Sequence, residues 1–211
     1  EIDNAGNTLF ASDLLGPDVT STNGTGLWKE NGGNVELIAR AGDEAPGANG
    51  GTFRTFINDL DIDYSVNSLG QVAFIAELDN ADSNQDEGIW AQDVNGQLQL
   101  IILKGQMLEV SPGDLRTVAS IDYRYGSNNG DGRQSGFSDR GEIVFRATFT
   151  DQTWGVFVSN AVAVPEPNSI IVLFPLLLLS HCLRGRKVRS SIVGEKVNCH
   201  RLLTRADSRE G

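Results

Sequence analysis

Residues 67–78, with the sequence NSLGQVAFIAEL, carry the pattern on which the fold of this chain is built. A polar turn ends at Gly70, where a residue that readily adopts positive φ is needed, and a strand containing Phe74 follows. Residues 3–14 (DNAGNTLFASDL) and 138–149 (SDRGEIVFRATF) keep the glycine and the phenylalanine, at offsets of 64 and 71 residues. We therefore predict tandem repeats that start near residues 3, 67 and 138.

Each copy continues into a glycine, an aliphatic residue and an aromatic residue. These triplets are Gly26-Leu27-Trp28, Gly88-Ile89-Trp90 and Gly155-Val156-Phe157. Two copies then contain a predicted hairpin strand, over residues 33–38 and 96–101, and a predicted last strand, over residues 53–63 and 115–125. Each repeat should therefore hold about four short antiparallel strands.

The strand pattern predicts an all-β fold. Apolar and polar residues alternate with period two in the second hairpin strand of both repeats, as in half-buried antiparallel strands: Val35, Glu36 and Leu37 in one, and Leu98, Gln99 and Leu100 in the other. Tandem four-stranded antiparallel repeats are typical of propeller blades, with the aromatic residues packed between neighbours. A closed propeller needs at least about four blades. We therefore expect an incomplete propeller, an oligomer or another β stack.

A segment of different composition follows, at residues 164–187 (VPEPNSIIVLFPLLLLSHCLRGRK). Pro165 and Pro167 prevent a helix from continuing through the triplet. The apolar run, residues 170–183, predicts a short C-terminal hydrophobic helix that is below the roughly 20 residues needed to span a bilayer. The basic residues behind it favour membrane insertion, because they match a cytoplasmic stop. A helix buried in the core of the protein is the alternative.

The order of these elements resembles the PEP-CTERM sorting signal of exported bacterial proteins. The resemblance rests on Pro165-Glu166-Pro167, on the apolar run, and on the basic residues Arg184, Arg186 and Lys187. It implies recognition by an exosortase-type protease and contact with the membrane. It also implies localisation to the cell envelope, the cell surface or an exopolysaccharide matrix. Residues 188–211 depart from the pattern, because such signals normally end the chain.

The repeat resembles a bacterial tandem-repeat family named for an N-x-x-G-x-x-A-F motif, whose members carry varied C-terminal anchors. Asn67, Gly70, Ala73 and Phe74 match the motif fully. The other two copies keep only its glycine and phenylalanine, as Gly6 and Phe10 and as Gly141 and Phe145. This resemblance implies an exported, repeat-built, anchored protein and implies no reaction.

Charge separates the predicted parts of the chain. Residues 1–164 carry 24 acidic and nine basic residues, a net charge of −15, whereas residues 165–211 carry four and eight, a net charge of +4. We divide the chain into an acidic β-repeat body (1–160), a sorting segment (161–187) and a basic irregular tail (188–211). The acidic body would repel phosphates, so we expect no nucleic-acid partner. Since an exported protein needs a secretory signal and none precedes the first repeat, we expect the chain to be a fragment.

The residue types of the body restrict its chemistry. The histidines, His181 and His200, and the cysteines, Cys182 and Cys199, all lie behind it. The body therefore lacks the side chains for His-based triads, Cys nucleophiles and His or Cys metal sites, and we expect a non-enzymatic protein with a structural or adhesive role.

Two alternatives use the remaining side chains. Asp59, Asp61 and Asp63 alternate along a predicted strand, as paired carboxylates of a glycan-active module would. A lectin-like module would stack sugars on aromatic residues, for which the candidates are Trp154, Tyr123 and Tyr125.

Ca²⁺ is the one cofactor that we consider. Residues 79–87 and 128–132 contain the hard oxygen ligands that Ca²⁺ prefers, and the candidate ligands are Asp79, Asp82, Asp86 and Asp131. Neither stretch has EF-hand spacing, so solvated turns are the alternative.

Overall fold

The computed structural model describes residues 1–2, 6, 8–56, 64–123 and 136–164. Residues Glu1–Val164 form one compact unit. Within the described ranges the secondary structure consists of strands, and every pairing between them is antiparallel, which confirms the predicted all-β antiparallel class. The predicted C-terminal helix lies outside these ranges.

The strands are β1 Thr8–Asp13, β2 Thr25–Asn31, β3 Asn34–Arg40, β4 Thr52–Phe53, β5 Tyr64–Val66, β6 Val72–Asp79, β7 Glu87–Gln92, β8 Leu98–Leu103, β9 Met107–Ser111, β10 Asp114–Asp122, β11 Ile143–Phe149 and β12 Trp154–Ser159. They form a first sheet in the order β1-β2-β3, a second sheet in the order β4-β6-β7-β8 with β5 also paired to β6, and a third sheet in the order β12-β11-β10-β9.

The boundaries of the sheets do not coincide with those of the sequence repeats, since the third sheet contains β9 and β10 of the second repeat. The last strand of a repeat pairs with the first long strand of the next repeat, as β4 does with β6 and β10 does with β11. An equivalent main-chain hydrogen bond lies beside each of these two strand pairings. The Gly42 N–H donates to the Phe53 carbonyl, and the Gly105 N–H donates to the Val118 carbonyl, each at 2.8 Å. Consecutive repeats are thus joined by main-chain hydrogen bonds.

The structure differs from the predicted strands in two places. The strand predicted over residues 53–63 is only the two-residue β4 up to Phe53, and residues 57–63 lie outside the described ranges. Strand β9 was not predicted, although Met107 to Val110 precede a Pro112-Gly113 turn. The corresponding part of the first repeat is a loop that buries Ala45 and Ala48, so local sequence in this part of the repeat selects between a hairpin and a loop.

Two apolar cores lie on opposite faces of the second sheet. The core between the first and second sheets contains Leu9 and Leu27 of the first and Phe74 and Trp90 of the second. The core between the second and third sheets contains Ala73, Ile75, Ile89, Ala91 and Ile102 of the second, packed against Ile143, Phe145, Ala147 and Phe149 of the third. Since both faces of the second sheet are covered, strand β6 is apolar almost throughout, unlike the alternating strand β11.

Candidate functional site

The motif turn at residues 67–71 is held by the Asn67 side chain. Its Oδ1 accepts hydrogen bonds from the Leu69 N–H at 3.1 Å and the Gln71 N–H at 2.9 Å. The Asn67 N–H donates to the Gln71 carbonyl at 3.0 Å, and Gly70 has φ of +74°. A short side-chain acceptor at the first position and a residue tolerant of positive φ at the fourth are therefore the requirements of this turn.

Ser138 performs the same function in the third copy. Its Oγ accepts from the Arg140 N–H at 3.2 Å and from the Glu142 N–H at 3.0 Å, and Gly141 has φ of +78°. Ser138 therefore forms the same turn as Asn67, although it differs from the asparagine of the motif. The β7–β8 turn repeats the arrangement at Asp93, where backbone N–H donors hold the pKa of the exposed carboxylate below its usual value.

The second and third motif turns touch each other through equivalent residues. The Asn67 Nδ2 donates to the Ser138 carbonyl at 3.0 Å, and the Ser68 N–H donates to Asp139 Oδ1 at 2.9 Å. In the first repeat, Lys29 Nζ donates to the Gly70 carbonyl at 2.9 Å, so strand β2 also contacts the second turn. These contacts place the second turn at the centre of the described unit.

Gln71, the last residue of the second motif turn, forms further hydrogen bonds to neighbouring segments. It is buried, and its Nε2 donates to the Gln92 carbonyl at 3.0 Å and to the Val162 carbonyl at 3.2 Å. A fully hydrogen-bonded buried amide of this kind fixes the packing of the elements around it, because leaving it unpaired would be costly.

The glycine–aliphatic–aromatic triplets have one steric explanation. In each sheet the aromatic ring lies over the glycine two residues earlier, on the same face of the strand. A methyl group at Gly88 would lie 2.7 Å from the Trp90 ring, and one at Gly26 or Gly155 would meet Trp28 or Phe157 at 2.9 or 3.0 Å. Glycine is therefore needed for ring space, and none of the three has positive φ.

The phenylalanine of each motif is the cross-strand partner of that aromatic residue. The pairs are Phe10–Trp28, Phe74–Trp90 and Phe145–Phe157. The second and third pairs are stacked, with ring centroids 6.2 and 5.8 Å apart. Phe74, Trp90 and Phe145 are buried, whereas Phe10 and Trp28 are half-buried.

Of the four carboxylates considered for Ca²⁺, Asp79 and Asp86 lie beside basic residues, and Asp82 is exposed. Asp79 pairs with Arg54 and Asp86 with Lys104, at 2.8 and 2.7 Å. Over the ranges that the structure describes, no group of three or more potential ligands is placed to hold a metal ion. These ion pairs would compete with a cation at Asp79 and Asp86. Asp131 lies outside the described residues.

Glu87 lies within this acidic region and is half-buried. Burial is the main cause that raises the pKa of its carboxyl, and the carboxylates of Glu77 and Asp86 act in the same direction. Lys104 and a hydrogen bond from the Ile121 backbone oppose the shift. The charged form of Glu87 is therefore disfavoured in the folded chain.

The aromatic residues considered for sugar stacking differ in exposure. Trp154 is 66% exposed. Tyr123 is buried, and its hydroxyl hydrogen-bonds to Ser65 Oγ, so Tyr123 cannot stack on a sugar and its assignment as a binding residue was wrong. The alternation of Ile121, Asp122 and Tyr123 places Ile121 and Tyr123 on one face, and this was the signal for burial that the sequence contained. Tyr125, Asp59, Asp61 and Asp63 lie outside the described residues.

The sorting-signal residues also lie outside the described ranges: Pro165, Glu166, Pro167, Arg184, Arg186 and Lys187. The part of the chain that the structure describes contains no helix of the length and hydrophobicity that a membrane crossing requires.

Fold and site together define an all-β antiparallel protein whose sheets pack face to face and whose second and third motif turns touch. The chain belongs to a family of unknown function, DUF7453, which it matches over residues 1–171. No curated protein matches the chain significantly, and neither does any solved structure.

Proposed function

We propose that this chain is an exported, envelope-sorted, non-enzymatic repeat protein with a structural or adhesive role at the cell surface or in an exopolysaccharide matrix. The observation that carries the proposal is the tripartite segment of residues 165–187, which begins where the compact β unit ends at Val164. A sorting signal must be reachable by its protease. A Pro-Glu-Pro triplet that follows Val164 in the sequence suits this need, because proline disfavours the helical conformation at its own position and at the residue before it.

The composition of the body supports a structural role. Residues 1–164 lack histidine and cysteine, and the conspicuous motif residues serve turns and packing: Asn67 and Gly70 form a turn, while Phe74 and Trp90 fill a core. The repeat motifs are thus explained by folding alone. An acidic, repeat-built unit of this kind suits a spacer or an adhesive surface outside the cell.

We also propose that the sheets are arranged like propeller blades. Equivalent residues related by a rotation come into contact only near the rotation axis, and Asn67 and Ser138 are equivalent residues that are joined by a hydrogen bond. Stacked sheets are about 10 Å apart, so a pure translation between repeats would hold equivalent residues farther apart. The finding therefore supports wedge-shaped, radial packing. A short apolar helix behind Pro167 completes the proposed architecture.

The sorting proposal is tested in a bacterium that has an exosortase, with the full chain expressed behind a secretory leader. We expect the wild-type chain to reach the envelope or the medium. Replacing Pro165 and Pro167 by alanine, or the cluster Arg184, Arg186 and Lys187 by glutamine, should retain the chain at the inner membrane. Pro112→Ala, in the turn between β9 and β10, is the matched control. Identical fractionation of all variants would contradict the proposal.

A second candidate function is glycan binding at Trp154. This exposed ring follows Asp151 and Thr153, and Arg116 forms a hydrogen bond of 2.7 Å with the Thr153 hydroxyl. An exposed aromatic face next to hydrogen-bonding groups is suited to a sugar ring. A glycan panel with and without Ca²⁺ tests this candidate, comparing wild type, Trp154→Ala and the exposed control Leu115→Ala. Binding that Trp154→Ala abolishes would support it, whereas hydrolysis of any glycan would contradict the non-enzymatic role.

A further inference from the structure

The third sheet has an outward apolar face, opposite the core that it shares with the second sheet. The residues on this face are Val144 of β11 and Trp154, Val156 and Val158 of β12, and all four are exposed. Val144 and Val158 are direct cross-strand partners, so the apolar side chains form one continuous surface. Contiguous apolar surface of this kind typically marks an interaction site.

The same positions in the second sheet are already used as an interface. Val144, Val156 and Val158 correspond to Ala73, Ile89 and Ala91, as the shared pairing of the motif strands shows. Ala73, Ile89 and Ala91 are buried in the core between the second and third sheets. Val156 is 62% exposed, whereas its equivalent Ile89 is 0% exposed. The outward face of the third sheet therefore has the position and the apolar character of a repeat interface that lacks its other half.

The outward face of the first sheet is equivalent to the other surface of such an interface. Its outward face carries Phe10, Trp28, Val35 and Leu37, which are half-buried or exposed. The equivalent residues of the second sheet are Phe74, Trp90, Leu98 and Leu100, and these pack against the first sheet. Val35 and Leu37 thus differ from Leu98 and Leu100 because no sheet within the described ranges covers them. The outward faces of the first and third sheets therefore correspond to the two surfaces that meet where neighbouring sheets pack.

The charged residues Arg146 and Glu30 on these two faces have partners within their own sheets. Arg146, on the outward face of the third sheet where the second sheet has Ile75, pairs with Asp122 of the neighbouring strand at 3.0 Å. On the first sheet, Glu30 accepts a hydrogen bond from the Gly33 N–H within its own hairpin. Burying a matched ion pair costs far less than burying a single charge.

We propose that a second copy of this chain docks head to tail, with the outward face of its first sheet on the outward face of the third sheet. The contact repeats the interface that already joins the second sheet to its neighbours, so no new packing solution is needed. Such a heterologous interface either closes into a ring or continues as a filament. Two copies supply six sheets, within the range of about four to eight blades found in closed propellers.

The experiment measures association of the full chain by sedimentation velocity in non-ionic detergent, so that the apolar C-terminal run is solvated in every sample. We expect wild type to form dimers or longer species as its concentration rises to about 100 μM, a range suited to interfaces of modest affinity. Val156→Asp blocks the third-sheet face and Leu37→Asp blocks the first-sheet face. Each should weaken association at least about tenfold, because an unpaired charge would be buried.

Mixing the two variants distinguishes head-to-tail docking from symmetric pairing. Val156→Asp keeps an intact first-sheet face, and Leu37→Asp keeps an intact third-sheet face, so an equimolar mixture should form heterodimers that neither variant forms alone. Val94→Asp is the matched control, since Val94 is 56% exposed but lies in the β7–β8 turn away from both faces. It should associate like wild type. Circular dichroism verifies folding, and Val35→Asp replaces Leu37→Asp if the latter unfolds.

Three results would overturn the proposal. One is a wild-type chain that stays monomeric over the whole concentration range. Another is loss of association in only one of the two face variants, which would indicate symmetric contact. The third is a mixture that forms no heterodimer, or a Val94→Asp control as impaired as the face variants.

Discussion

Asn67 and Ser138 occupy the same position in consecutive repeats, and the Asn67 side-chain amide donates a hydrogen bond of 3.0 Å to the Ser138 carbonyl. One residue thus forms its own turn through Oδ1 and fastens that turn to the next through Nδ2. The buried Asn67 side chain also donates to Gln71 Oε1 at 2.9 Å. The motif residue therefore connects local turn chemistry to the arrangement of the repeats.

Asn67→Ala should lower the free energy of unfolding by about 2–4 kcal/mol, because it leaves buried N–H and carbonyl groups unpaired. Asn67→Ser should cost about half as much, since serine forms the same turn at Ser138 but cannot reach the next turn. Urea unfolding of both variants tests this ranking. Equal losses would show that the contact between the turns contributes nothing.

Gly88→Ala should destabilise the chain by about 1–3 kcal/mol through overpacking, since the added methyl would overlap the Trp90 ring. Trp90 should also become more exposed, which shifts its fluorescence to longer wavelength. Gly16→Ala is the control, because the methyl at Gly16 would lie 3.6 Å from its nearest neighbour, Val19. An unchanged emission spectrum in Gly88→Ala would refute the steric role of this glycine.

Gly70→Ala and Gly141→Ala separate backbone strain from steric overlap. Both glycines have positive φ, but a methyl at Gly70 meets nothing within 4 Å, whereas one at Gly141 overlaps the Val162 carbonyl. We expect a loss of about 1 kcal/mol at Gly70 and at least twice that at Gly141. Thermal unfolding compares them. A larger loss at Gly70 would contradict this assignment.

Ile89→Ala and Val156→Ala compare two equivalent repeat positions, of which one is buried and the other is exposed. Ile89 is enclosed between sheets, so its truncation should cost about 2–4 kcal/mol. Val156 holds the equivalent position on an open face, and in dilute monomer its truncation should change the free energy of unfolding by less than about 0.5 kcal/mol. Chemical denaturation at low protein concentration measures both, and equal costs would mean that the third-sheet face is already covered.

Glu87→Gln should change the pH dependence of stability. Burial raises the pKa of Glu87 above its ordinary value of 4.5, so the folded chain binds this proton more tightly than the unfolded chain does. In wild type this contribution is fully present below pH 4.5 and is lost as the pH rises through the raised pKa. The glutamine side chain cannot ionise, so the variant should lose less stability on going from pH 4.5 to pH 8.

Urea unfolding across that pH range measures the effect, with Glu44→Gln as the control for loss of one exposed negative charge. The same pH profile for Glu87→Gln and wild type would show that the Glu87 carboxyl has no perturbed titration in the folded chain.

Much of the fold was predictable because it depends on local constraints. Turn residues such as Gly70 and Gly141, and the alternation along β8 and β11, determine antiparallel strands through backbone sterics and side-chain periodicity. The pairing of Phe74 with Trp90 also has a local sign, since both recur at fixed repeat positions. What could not be predicted is which strands share a sheet. Strand β10 pairs with the next repeat, and this choice depends on contacts between segments far apart in the sequence.

The sequence also could not predict which of two equivalent residues is buried. Leu37 and Leu100, or Ile89 and Val156, are chemically alike and hold the same repeat positions, yet one of each pair is covered and the other is not. Tyr123 illustrates the same limit, because it is buried where its hydroxyl meets Ser65 in strand β5 of the second sheet. Only the stacking of the sheets decides these cases.

By itself, the sequence determined the repeat, its turns, its antiparallel strands and the change of composition behind Val164, since each depends on residue type and spacing along a few residues. The tertiary structure decided the offset between the boundaries of repeats and sheets, the contact between equivalent turns, and the exposure of the two outward faces. The physical reason is that solvent exclusion depends on which surfaces meet, and that is a property of the whole stack of sheets.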